Sequence, residues 1–147
     1  MTKKLSILLV TVCCALLSSC SIVTSNNGDL DGLWQMTLKE DLTTGEVTDM
    51  CDRNASWAVQ GDLLMMRMDD VPEIVCRFNH QGDVLVVYEP YISDRYGESG
   101  TDIKVEDYSI VQPYGLTAQE EYFKVLELDS NTMRLESSKF RINFRKY

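Results

Sequence analysis

The chain has 147 residues, of which 14 are Lys or Arg and 23 are Asp or Glu, for a net charge of −9. That length suits one domain around a single apolar core. An acidic excess with no basic stripe to interrupt it repels phosphate backbones and so excludes nucleic acid as a partner; its plainest other effect is solubility.

The chain opens with Lys3-Lys4, an apolar run over 5–17, and Leu17-Ser18-Ser19-Cys20. A basic start, an apolar stretch too short to cross a bilayer and small residues before a cut site make a secretory signal. With a Cys as the first residue after the cut, this lipobox arrangement resembles that of bacterial lipoproteins. The resemblance implies that Cys20 is acylated with three chains, palmitate among them. Each buried CH₂ gives roughly 0.8 kcal/mol of membrane affinity, so several chains hold for good. Ser21 in place of Asp implies the outer membrane. The lack of an acidic residue before Asp29 implies its periplasmic side. The alternatives are an ordinary cleaved signal that leaves Cys20 a free thiol, or an uncleaved membrane anchor. Losing Lys3 and Lys4 with residues 1–19 would move the net charge from −9 to −11. Segment 20–29 is small and polar and reads as a flexible tether, with the folded domain over 30–147. If residues 1–19 are retained, they are expected as a detached helix.

Short strand-like runs separated by turn residues dominate the rest. In 32–38, Leu33 and Gln35 oppose Trp34, Met36 and Leu38. Runs at 54–60 and 63–68 flank Gly61-Asp62, a hairpin signal, and 74–79 and 84–89 flank Gln81-Gly82-Asp83. A long loop is predicted over 90–101 and a further strand over 103–111. Thr117-Ala118-Gln119-Glu120 is similar to a capping box and predicts one helical turn. Strands at 122–128, 132–136 and 139–145 end the chain. In the last, Phe140, Ile142 and Phe144 oppose Arg141, Asn143 and Arg145.

Eight or nine antiparallel strands in one small domain must hide their edges, and closing the sheet does so. The expected class is all-β, a single antiparallel up-and-down β-barrel of about eight strands, with a β-sandwich as the alternative. Gly32-Leu33-Trp34 on the first strand resembles the Gly-x-Trp of the lipocalin family. That resemblance implies a Trp34 that closes one end of the barrel under an Arg of the last strand, Arg141 or Arg145, in a cation–π contact of about 1 kcal/mol. Trp34 as a plain core aromatic is the other reading. The helix usual before the last strand of that family is not evident, and the chain resembles the short lipocalin-like lipoproteins of Gram-negative bacteria more than the family's ligand carriers.

Cys51 and Cys76 remain after the leader and Cys20 are set aside. In an oxidising compartment they could form a disulfide contributing about 3 kcal/mol, provided that their Cα atoms come within about 7 Å. Alternatively Cys76, inside an apolar run, packs as a free thiol. His80, the only histidine, falls at a hairpin and reads as a turn residue. No Gly-x-Ser-x-Gly or zinc ligand set is present. Asp94, Glu98 and Asp102 lack calcium-loop spacing. No catalytic residue, metal or cofactor is therefore assigned, and the chain is read as non-enzymatic. Tyr88, Tyr91, Tyr96, Tyr108 and Tyr114 cluster around the long loop and are candidates for ligand or partner contact. The functional expectation is a membrane-anchored binding protein that holds a small apolar or amphipathic ligand inside the barrel, against Trp57, Met65, Val75 and Val87. The alternative is a filled barrel whose Tyr-rich loop contacts an envelope protein.

Overall fold

The computed structural model describes residues 25–95, 97 and 100–147. Cys20, the expected leader helix, Tyr96 and Glu98 lie outside that set. Ten strands follow in order: β1 (Gly32–Asp41), β2 (Val47–Asp49), β3 (Ser56–Gln60), β4 (Leu63–Met68), β5 (Val71–Gln81), β6 (Val84–Ile92), β7 (Ile103–Lys104), β8 (Glu120–Leu128), β9 (Thr132–Glu136) and β10 (Phe140–Lys146). Eight of them close antiparallel in the order β1-β3-β4-β5-β6-β8-β9-β10 and back to β1. Closure satisfies both edges of every barrel strand, which a sandwich would not. The short β2 and β7 pair with the far ends of β1 and β6, beyond the reach of β3 and β8.

The barrel wall follows from alternation. Phe140, Ile142 and Phe144 on β10, Met133 and Leu135 on β9, and Leu64, Met66 and Met68 on β4 are all buried. Each such side chain contributes about 1.5–3 kcal/mol by leaving water. The interior is filled: Trp57 lies 5.8 Å from Phe123 and 5.0 Å from Phe144, ring centroid to centroid, in edge-on and tilted contacts. Val87 is also inside. Met65 and Val75 are half-buried on the outer wall, because they are out of phase with Leu64, Met66, Ile74 and Cys76. Of the four residues expected to line the interior, Trp57 and Val87 face it, packed among core side chains, and Met65 and Val75 face outward.

Bulges change the phase where alternation alone would continue it. Opposite β10, Met36 pairs with Phe144 and Leu38 with Asn143, which leaves Thr37 as the extra residue. Beyond Thr37, Lys39 and Asp41 fall in phase with Ile142 and Phe140 and turn to the inner side, while Leu38 turns out. A second bulge places Glu89 at φ 53 and sets two residues of β6 against Cys76.

Both ends of the barrel are covered. At one, a 3-10 turn (Gly28–Leu30) buries Leu30, whose carbonyl accepts the Trp34 Nε1–H at 2.8 Å. At the other, residues 105–116 fold inward with two 3-10 turns, Tyr108–Ile110 and Gln112–Tyr114. Val105, Val111, Tyr114 and Leu116 are buried there. Only Ile103–Lys104 of the strand expected over 103–111 pairs with a neighbour. The segment is drawn off the sheet by its own apolar side chains. The turn expected from Thr117 to Glu120 is not helical. Glu121 on β8 accepts both the Thr117 amide, at 2.8 Å, and its hydroxyl, at 2.7 Å, and so ties the chain into the strand instead.

Candidate functional site

The end opposite Trp34 carries a cleft of about 440 Å³ between β1, β2, β10 and the 105–116 plug. Its apolar floor is Phe140, Met50 and Met68. Three cations line it: Lys39, Arg53 and Lys139. The Lys39 ammonium lies 5.0 Å from the centre of the Phe140 ring and donates to the carbonyls of Gln112 at 3.1 Å and Pro113 at 3.2 Å. Lys139 reaches the same ring at 5.2 Å. Burial holds the Lys39 ammonium below the ordinary lysine range; Arg53 and Lys139 push it the same way, while Asp41 and Glu46 pull against them. Among the described residues no carboxylate stands within ion-pair distance of any of the three. Asp41, also in the cleft, accepts the amides of Thr43 and Thr44 on Oδ1, and these bonds, with the charge of Lys139, hold it below the usual carboxylate range. The arrangement is an apolar floor under three cations without an ion-pair partner, offset in part by Asp41 and Glu46 at the rim, which suits an anion joined to an apolar body.

The other expected residues are dispersed. Lys146, not Arg141 or Arg145, covers Trp34, its Nζ lying 4.6 Å from the ring centre. Trp34 pairs directly with Lys146, and Gln35 with Arg145, so Arg145 is one residue out of phase with the indole. Its Nε donates instead to Gln35 Oε1 at 2.6 Å. Arg141 sits near the other end, bridging Glu40 at 2.9 Å and Glu136 at 2.7 Å. Gly32 has φ +124, and a Cβ there would lie 3.3 Å from Lys146 Cε, so the glycine makes room for the covering lysine.

Cys51 and Cys76 are not bridged. Cys51 is exposed on the 3-10 turn Cys51–Arg53, while Cys76 is buried on β5, its thiol pushed up to about 12 by burial. Alternation turns Cys76 into the core, away from any surface thiol. The tyrosines do not form one face. Tyr114 is fully buried and its hydroxyl donates to the Pro72 carbonyl at 2.9 Å, so it is part of the plug. Burial raises its phenol above the ordinary range. Tyr108 packs against the core, and Tyr88 and Tyr91 stand half-buried on the outer wall of β6. His80 Nε2 contacts the Gly82 carbonyl at 3.0 Å within its hairpin. Asp102 Oδ1 accepts the Asp94 amide at 3.2 Å, and no group of three or more metal-ligating side chains is gathered among the described residues. Nothing in the sequence marked Lys39 as inward-facing, since that depends on the Thr37 bulge.

Residues 15–147 match the lipocalin-like domain family, and the chain belongs to it. Two solved structures share the fold. A lipocalin-like protein from Bacteroides uniformis superposes with a TM-score of 0.59 at 17% identity, covering 82% of this chain and 100% of its own. An uncharacterized protein from Bacteroides eggerthii does so with a TM-score of 0.57 at 19% identity, covering 80% and 98%. No protein of curated description matches the sequence.

Proposed function

We propose that this chain is a lipid-anchored, non-enzymatic binding protein that takes a small anionic amphiphile at the barrel mouth rather than in the barrel interior. The observation that carries this reading is the set of unpaired cations, Lys39, Arg53 and Lys139, around the Phe140 floor of a 440 Å³ cleft, in a chain of net charge −9. A carboxylate, sulfate or phosphate head would relieve the repulsion among the three, and the apolar part would cover Phe140 and Met68. The filled interior argues against a ligand deep inside. The anchor rests on the order of basic, apolar and small residues before Cys20. It would place the domain on the periplasmic face of an outer membrane.

A fluorescent naphthalene sulfonate titrated into the domain tests the ligand class. Saturable binding that weakens by about tenfold or more in the K39Q/R53Q/K139Q triple variant is expected, since each lost charge-assisted contact is worth about 1.5–3 kcal/mol at most. Equal binding to wild type and variant refutes the mouth as the site. Labelled palmitate entering wild type but not Cys20→Ala checks the anchor. The packed interior also suits the other reading, a protein-interaction module, for which Tyr88 and Tyr91 are the described members of the candidate tyrosine cluster that stand on an outer wall.

A further inference from the structure

The first described residues are fastened to the domain rather than loosely attached. The Ser25 hydroxyl accepts the Gly61 amide at 2.8 Å and donates to Asp31. The Asn27 side chain donates to the Gly61 carbonyl at 2.8 Å and to Asp31 Oδ1 at 2.7 Å. Gly61 is the turn between β3 and β4, at the end of the barrel away from the mouth cleft. Cys20 precedes Ser25 by five residues, which span at most about 18 Å when fully extended.

Beside that fastening an apolar row crosses the outer wall, flanked by the ion pairs Arg67–Glu73 and Arg77–Asp62. Cross-strand pairing sets Leu33 next to Ala58, Ala58 next to Met65, Met65 next to Val75, and Val75 next to Tyr91, all turned outward. Leu63 adjoins this row at the start of β4, and Leu33 and Leu63 are 43% and 45% exposed. The row floors a groove of about 530 Å³ lined by Ala58, Leu63, Met65 and Val75, with Gln60, Ser93, Arg95 and Asp102 at its sides. An apolar stripe across four or five strands is unusual on the wet side of a barrel and marks a contact surface.

We propose that this wall, from Leu33 to Tyr91, seats against the lipid surface to which the chain is tied, with the mouth cleft held away from it. The inference rests on the anchor reading. The short, pinned connection brings this wall, and not the mouth, within reach of the headgroups. Lys39 lies six residues along β1 from Leu33, or about 20 Å at strand rise, so the cleft stays open to water. Asp62 is paired with Arg77, Lys146 donates to the Asp29 carbonyl, and Arg95 and Asp102 both line the groove, so no single sign of charge dominates there and the seat relies on apolar contact.

The test uses the full chain recovered from membranes, in a Cys51→Ser background, with a bimane label on Leu63→Cys or on Ser138→Cys near the mouth. Each is reconstituted into phosphatidylcholine vesicles with brominated acyl chains, and acylation of Cys20 is read by mass spectrometry. The proposal expects acylated protein whose label at position 63 loses fluorescence while that at 138 does not. Adding Leu33→Ser and Val75→Ser should abolish the difference. Acylated protein with equal quenching at both positions overturns the seat and leaves the anchor standing. Unacylated protein overturns both. A label at 63 shielded only when another envelope protein is added also overturns the seat, in favour of a protein partner.

Discussion

Gly115 ends the 3-10 turn Gln112–Tyr114 with φ 95, and a Cβ at that position would run into Ile142 Cδ1. Two costs follow from Gly115→Ala. The left-handed backbone conformation costs about 1 kcal/mol or somewhat more for a residue with a Cβ. Overpacking against a buried isoleucine adds about 1–3 kcal/mol. The sum, about 2–4 kcal/mol, is a large share of the stability of a domain this size. Ile142→Val removes the clashing methyl and by itself costs about 0.5–1.5 kcal/mol. In the double variant the vacated space receives the new Cβ, so the two effects should fall short of their sum by about 1 kcal/mol or more. Urea unfolding of all four proteins at pH 7, compared at equal m-values, measures that coupling. Additivity within about 0.5 kcal/mol would show that the plug does not rest on Ile142 as described.

Three further outcomes are expected. The Cys76 thiol ionises more readily unfolded than folded, so the stability it contributes is whole below pH 9.0 and is lost as pH rises toward about 12. The loss runs at about 1.4 kcal/mol per pH unit, so urea unfolding should show wild type falling more steeply above pH 9 than Cys76→Ala, whose lost packing is a constant offset. Parallel curves would count against a neutral buried thiol. A maleimide should modify Cys51 in the native domain and reach Cys76 only on unfolding; equal labelling under native conditions would contradict their placement. Lys146→Ala should cost about 1 kcal/mol and increase acrylamide quenching of the Trp fluorescence, whereas Arg145→Ala should leave that quenching alone. The reverse pattern would restore the arginine to the indole.

The parts of the fold readable in advance are those set by neighbouring residues. Gly61-Asp62 makes a tight turn wherever it lies, and Phe140, Ile142 and Phe144 share a face in any extended strand. The site was poorly readable because it depends on register. Trp34 and Lys146 could be matched only once β1 and β10 were paired, and the same pairing puts Arg145 on the opposite face. Alternation also hid the buried status of Tyr114, since 105–116 leaves the sheet to cap the barrel.

Composition and period-two patterning by themselves determine a single acidic domain of many short strands, with one face of each turned inward, because these follow from chain length and the geometry of an extended backbone. Only the tertiary structure decides that Lys39 points to the mouth, that Trp57, Phe123 and Phe144 pack against one another inside the barrel and that Cys76 stays apart from Cys51. A bulge at Thr37 reverses every later side chain on its strand, and whether a bulge forms depends on the strand across the ladder, more than a hundred residues away.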